Sequence, residues 1–167
     1  AFYALGIDNC LIEVDGPEVP ILEGSAKIFV EKIKEVGCVK QNADKNYYSV
    51  NQKMVFYSED KQSSITLLPD IEFSVQVMID YDSPVLNNQY AILESVSDYE
   101  KEIAPCRTFV FVRELELLLK NNLIKGGDLD NAIVIYDKEV AQSEIQRIAD
   151  LMGQPCPKAD KLGYINT

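Results

Sequence analysis

Several short stretches of the chain carry side chains whose types and spacing could do chemistry. Asp15-Gly16-Pro17-Glu18 sets carboxylates close enough for acid–base work or a hard cation, although a turn between a strand and an extended segment uses the same residues. Asp80-Tyr81 puts a carboxylate beside an aromatic ring, a pairing that can hold a nucleoside by a hydrogen bond and a stacking face or merely end a surface strand. Gly126-Gly127-Asp128 would let a ligand approach the backbone or simply turn the chain after a helix, and it lacks the Lys and Ser/Thr of a phosphate-binding loop. In Arg107-Thr108-Phe109-Val110-Phe111 a hydroxyl stands among apolar neighbours, either as a donor to developing negative charge or as part of a packed strand.

What is absent narrows the chemistry further. The 167 residues include no histidine, so a catalytic triad, a His-based zinc site or an imidazole acid–base pair would need residues from elsewhere. Cys10, Cys38, Cys106 and Cys156 are far apart and form no C-x-x-C pair, which reads as reduced thiols rather than a zinc knuckle or redox motif. With 27 acidic against 16 basic side chains, a net charge of −11 and no basic cluster, nucleic acid is excluded as a partner. No apolar run approaches the ~20 residues of a membrane span and no signal peptide opens the chain, so the sequence reads as cytoplasmic.

The elements that must position these residues follow from periodicity. Ala1 to Gly6, starting without methionine, resembles a last helical turn closed by glycine, and the chain is expected to begin inside a longer polypeptide. Alternation at Cys10, Ile12 and Val14 predicts a strand, and Pro17 and Pro20 predict an extended stretch after it. Ala26, Phe29, Val30, Ile33 and Val36 predict a helix with Ser25 as N-cap and Gly37 as terminator. The polar stretch Val39 to Asn46 is the expected linker between two units. Strands are expected at Tyr47 to Val50, Met54 to Tyr57, Ile65 to Leu68, Phe73 to Ile79 and Ala91 to Leu93, the alternation of Phe73, Val75, Val77 and Ile79 requiring one buried face. A helix with apolar positions at Val112, Leu115, Leu118 and Leu119 should stop before Gly126-Gly127, a short apolar strand should cover Asn131 to Tyr136, and Ser143 with Gln146 should make a capping box for a helix ended by Gly153 and Pro155. Cys156 to Thr167 shows no periodicity.

Two of these stretches carry a resemblance. Leu5 to Ala26 (LGIDNCLIEVDGPEVPILEGSA) resembles the segment after the metal-binding histidine of UDP-3-O-acyl-N-acetylglucosamine deacetylases, the zinc enzymes of lipid A synthesis, and Arg107 to Val134 (RTFVFVRELELLLKNNLIKGGDLDNAIV) resembles the start of that family's second domain. The resemblance implies an α+β fold of two-layer, sheet-on-helix units. Residues 1–42 would close a first unit and 43–167 would form most of a second, with an insert that builds an acyl passage. It implies a parent enzyme that hydrolyses the acetamide of an acylated UDP-sugar with zinc-activated water. Both zinc-binding histidines, the zinc-binding aspartate and the glutamate base would lie outside this chain, so no metal is expected in it and the chain alone should be inactive.

By the same resemblance Thr108 would stabilise the oxyanion. Phe109, Phe111, Val112, Leu115, Ile124, Gly127, Leu129, Ala132 and Val134 would line the acyl passage, Asp80 and Tyr81 would hold uridine, and Lys61 would contact the diphosphate. The expected partners are the acylated UDP-sugar and the remainder of the parent polypeptide. Glu23 and Asp128 depart from the family pattern, where an aspartate and a small hydroxyl residue are usual. Ala141 to Thr167 is longer than the usual loop and resembles forms fused to a hydroxyacyl-carrier-protein dehydratase. The competing reading is a non-enzymatic α+β binding or interaction module.

Overall fold

A computed structural model describes residues 1–166, and helices and small sheets alternate through it in an α+β fold. The best-packed region lies in the second half of the chain. There β5 (Phe109–Phe111), β6 (Ile133–Tyr136) and β7 (Gly163–Tyr164) form one sheet in that order, β5 parallel to β6 and β7 antiparallel to it. The crossover from β5 to β6 contains α3 (Val112–Lys120), and α4 (Gln142–Met152) follows β6. Val112 and Leu115 of α3, Val134 and Tyr136 of β6, and Ile145 and Ile148 of α4 are buried together as the core. Parallel pairing leaves β6 covered on both sides, which is why Ile133 to Tyr136 reads as an unbroken apolar run.

Elsewhere the elements are smaller. One helical turn at residues 2–6 closes on Gly6, where the N–H groups of Gly6 and Ile7 donate to the carbonyls of Tyr3 and Phe2, the paired bonds that end a helix with a left-handed residue. Helix α1 (Lys27–Val36) runs as expected to Gly37, and the Ser25 hydroxyl accepts from the Lys27 N–H at 3.1 Å, although the N-cap itself is Ala26. Strands β1 (Met54–Ser58) and β2 (Ser63–Leu67) make one antiparallel hairpin, and β3 (Val75–Ile79) pairs antiparallel with β4 (Gln89–Leu93). A 3₁₀ turn at Val96–Asp98 leads into the short helix α2 (Tyr99–Glu102).

The structure corrects several expectations. Residues 10–14 and 47–50 form no strand and pair with none among the described residues, and Leu11 and Tyr47 are exposed. Strand β3 has no fully buried face: its one strand partner among the described residues is β4, and Phe73 and Val77 remain 51% and 47% exposed. Helix α3 does stop before the glycines, as expected, ending at Lys120, where Asn122 takes φ +54° and the Leu123 N–H turns back to the Leu118 carbonyl. The capping box of α4 is not formed: Ala141 is the N-cap and Gln146 donates to Asp150 at 2.7 Å. Gly153 does end that helix, at φ +65°.

Candidate functional site

Thr108 precedes β5 and is fixed by its backbone. Its N–H donates to the Gly24 carbonyl and its carbonyl accepts from the Ile133 N–H, both at 2.9 Å, so the residue is clamped between the N-terminal segment and the sheet. The residue borders an apolar cavity of about 480 Å³. Val110, Ala132 and Val134 form the sheet wall, and Val112, Leu115 and Leu118 the α3 wall, since residues on one face of a strand or helix recur at their own periods. Ile124, Gly127 and Leu129 of the following loop close one side.

Every residue that the resemblance assigned to an acyl passage therefore borders this cavity together with Thr108, except Phe111. Phe111 is 1% exposed and lies under Arg113, whose guanidinium carbon is 4.4 Å from the ring centre, so it belongs to an aromatic cluster beside the cavity rather than to its wall. In that cluster Tyr81 meets Phe109 and Phe111 edge-on at 5.5 and 5.4 Å between ring centres, and the two phenylalanines stand 5.8 Å apart. The end of β3 is thus brought against the rim of the cavity, and Asp80-Tyr81 with it. Asp80 accepts from the Asp82 N–H at 3.2 Å in a turn where Asp82 takes φ +47°. Lys61 sits in the exposed turn of the β1–β2 hairpin, and no ion pair or hydrogen bond ties it to Asp80 or Tyr81 among the described residues.

Arg113 anchors the aromatic cluster. It forms an ion pair with Asp137 at 2.6 Å and donates to the Tyr81 carbonyl at 3.4 Å. The Asp137 side chain is 1% exposed, and neither of its oxygens accepts a directed hydrogen bond among the described residues. The carboxylate is sealed inside the protein, while the Arg113 side chain, 26% exposed, reaches it from the surface.

Sequence reasoning missed two walls. Pro17, Val19, Pro20 and Ile21 line the cavity because Gly24, at φ +87°, turns the segment onto the sheet, whereas their pattern signalled only extension. Ile148 and Met152 of α4, with Pro155, Pro157 and Ile165 beyond it, line it as well. The helical pair carried an apolar period that pointed to burial without saying against what, and the tail carried no period.

The charged groups at the cavity are engaged. Lys125 lies 3.9 Å from Glu18 across two of its walls. The Asp128 carboxylate accepts from the N–H groups of Asp130 and Asn131 at 2.8 and 3.0 Å and so is spent on the turn. The Glu23 carboxylate accepts from the Ser25 hydroxyl, which holds its pKa below the usual carboxylate value. All four cysteines are free thiols.

Among the described residues no group of three His, Cys, Asp or Glu side chains is placed to grip an ion, and Asp15 and Glu18 form only a bend. Nor is any described helix long and apolar enough to cross a membrane.

An apolar cavity bordered by Thr108, with Tyr81 packed against Phe109 at its side, is thus the concave site this half of the chain assembles. The family model for UDP-3-O-acyl N-acetylglycosamine deacetylase matches residues 1–152, and the chain belongs to that family. It is 54% identical over 166 residues to proteins named bifunctional enzyme LpxC/FabZ from Bacteroides thetaiotaomicron and Porphyromonas gingivalis, a match covering 99% of this chain and 36% of each relative. It is 40% identical over 151 residues to a protein named UDP-3-O-acyl-N-acetylglucosamine deacetylase from Anaeromyxobacter sp., covering 90% of this chain and 49% of the relative. The chain thus spans about a third of the bifunctional relatives and about half of that deacetylase.

Proposed function

We propose that this chain is the acyl- and uridine-binding part of a cytoplasmic deacetylase that hydrolyses the acetamide of UDP-3-O-acyl-N-acetylglucosamine in lipid A synthesis. The observation that carries the reading is the junction at Phe109, whose ring borders the apolar cavity and meets the edge of Tyr81. One molecule can then be apolar at one end and hold a nucleoside at the other. The cavity walls bury the acyl chain, each methylene contributing ~0.8 kcal/mol. Asp80 and Tyr81 hold uridine, Lys61 reaches the diphosphate, and the Thr108 hydroxyl donates to the oxyanion that forms at the acetamide carbonyl. Phe111 serves from behind, packed against Phe109 and Tyr81.

Residues 1–42 close a first unit and 43–167 make most of a second. The metal that the family uses would be held by other residues of the complete polypeptide, so the chain alone is inactive. The exposed apolar strands, with Val55, Phe56, Val77 and Met78 uncovered, are surfaces on which the rest of that polypeptide packs. The names of the bifunctional relatives support a dehydratase in the same polypeptide.

The test is deacetylation of the acylated UDP-sugar by the full-length protein. Thr108→Ala should lower kcat by about 10²- to 10³-fold with KM little changed, while Thr108→Ser retains activity. Equal turnover by Thr108→Ala and the unmodified protein would overturn the assignment.

A further inference from the structure

Resting on that reading, we propose that α4 and the strap that follows it set the length of acyl chain the cavity accepts, with Ala149 and Met152 as the gauge. Ala149, Met152, Pro155, Pro157 and Ile165 supply wall that α3 and the sheet do not. A wall selects by length only if it cannot swing aside, and this one is tied at several points. Ile165 donates its N–H to the Val134 carbonyl at 2.9 Å, and β7 pairs with β6. The Asn166 side chain accepts from the Val134 N–H at 2.8 Å and donates to the carbonyls of Ala132, at 2.7 Å, and Leu129. The far end of the strap is therefore stitched to residues that line the opposite side.

The middle of the strap is held too. Gln142, at the start of α4, donates to Cys156 Sγ at 3.2 Å and to the Pro157 carbonyl at 3.3 Å, so the chain doubles back along the helix after Gly153. Arg147 of α4 reaches Glu116 of α3 at 2.9 Å. With the wall held in this way, the room beside it is set by the side chains it presents. Ala149 is 5% exposed and small, so enlarging it removes space that the chain would occupy, while trimming Met152 adds space. Each methylene gained or lost changes affinity about fourfold, from ~0.8 kcal/mol per buried methylene.

The experiment is calorimetric binding of homologous series of straight-chain fatty acids and acylated UDP-sugars to the full-length protein, with thermal melting to establish that each variant is folded. Ala149→Leu should move the optimum to shorter chains and weaken the longest accepted chain by about fourfold per methylene displaced. Met152→Ala should move it to longer chains, and it decides the matter alone if Ala149→Leu does not fold. Folded variants that bind with an unmoved optimum overturn the gauge and leave the proposed function intact. Failure of the unmodified protein to bind either series overturns both.

Discussion

Gly24 lies so close to the Asn131 carbonyl that a methyl group on its Cα would sit 1.6 Å from the oxygen. The same glycine has φ +87°, a conformation that side-chain-bearing residues rarely adopt, and its carbonyl accepts the Thr108 N–H. One residue therefore docks the Pro17–Ile21 wall, the Thr108 backbone and the Asn131 turn together. Gly24→Ala should destabilise the protein by about 2–5 kcal/mol, combining backbone strain with overpacking against main chain that has little freedom to give way. Urea unfolding checks this, and a loss within experimental error of zero would mean that the segment is free to shift.

The Arg113–Asp137 pair makes a different prediction. A buried carboxylate tolerates its surroundings only while its partner remains, so Arg113→Ala should cost about 3–5 kcal/mol in the same assay. The double variant Arg113→Met with Asp137→Leu should recover much of that, since no charge is then left buried. If the double variant is as unstable as the sum of the single ones, the pair is not coupled. Because Arg113 also covers Phe111 and holds the Tyr81 carbonyl, the double variant should still weaken UMP binding while leaving fatty-acid binding unchanged.

Asp128 separates charge from structure. Its carboxylate caps two backbone N–H groups, so Asp128→Ala should lose about 1 kcal/mol, whereas Asp128→Asn keeps an acceptor and should stay near the unmodified stability. Fatty-acid affinity should be the same in Asp128→Asn as in the unmodified protein, because the carboxylate faces the turn. An affinity that rises severalfold on removing the charge would show that the carboxylate reaches the acyl chain after all.

How much of this was legible beforehand depended on whether a segment declares its own partner. Helices α1, α3 and α4 have one apolar face, and β6 is an uninterrupted apolar run, so their sequences carry the pattern that burial requires. Residues 10–14 alternate just as clearly yet pair with nothing among the described residues, because alternation specifies a face and not a neighbour. Ser143 and Gln146 have the spacing of a capping box, but the helix begins two residues sooner, with Ala141 as N-cap, and Gln146 bonds to Asp150 instead. Val112 and Leu115, which the resemblance assigned to an acyl passage, border one apolar cavity, and Thr108 borders it with them. The strap could not be found in this way: Pro155, Pro157 and Ile165 have no period, and what fixes them is the side chain of Asn166, a tertiary contact spanning 32 to 37 residues.

The joint between α3 and α4 should be sensitive to acid. Arg147 reaches both Glu116 and Glu144, at 2.9 and 2.6 Å, and Lys120 pairs with Glu116 as well. Glu116 is held below its ordinary value of 4.5 by the Lys120 hydrogen bond first and by the Arg147 charge, and Glu144 is held below 4.5 mainly by the Arg147 hydrogen bond. A carboxylate with a depressed folded pKa contributes stability that is fully present above its unfolded value and lost as pH falls through the folded one. The ties should therefore hold at neutral pH and fail progressively below about 4.5, where the unfolded chain takes up protons first. Because these groups are solvated, raising the salt concentration at neutral pH should weaken the same joint. Hydrogen exchange should then show α4 losing protection before β6 on acidification, and Glu116→Gln should reproduce part of that loss at neutral pH. Protection that falls equally in α4 and β6 would mean the acid acts on the whole fold and not on this joint.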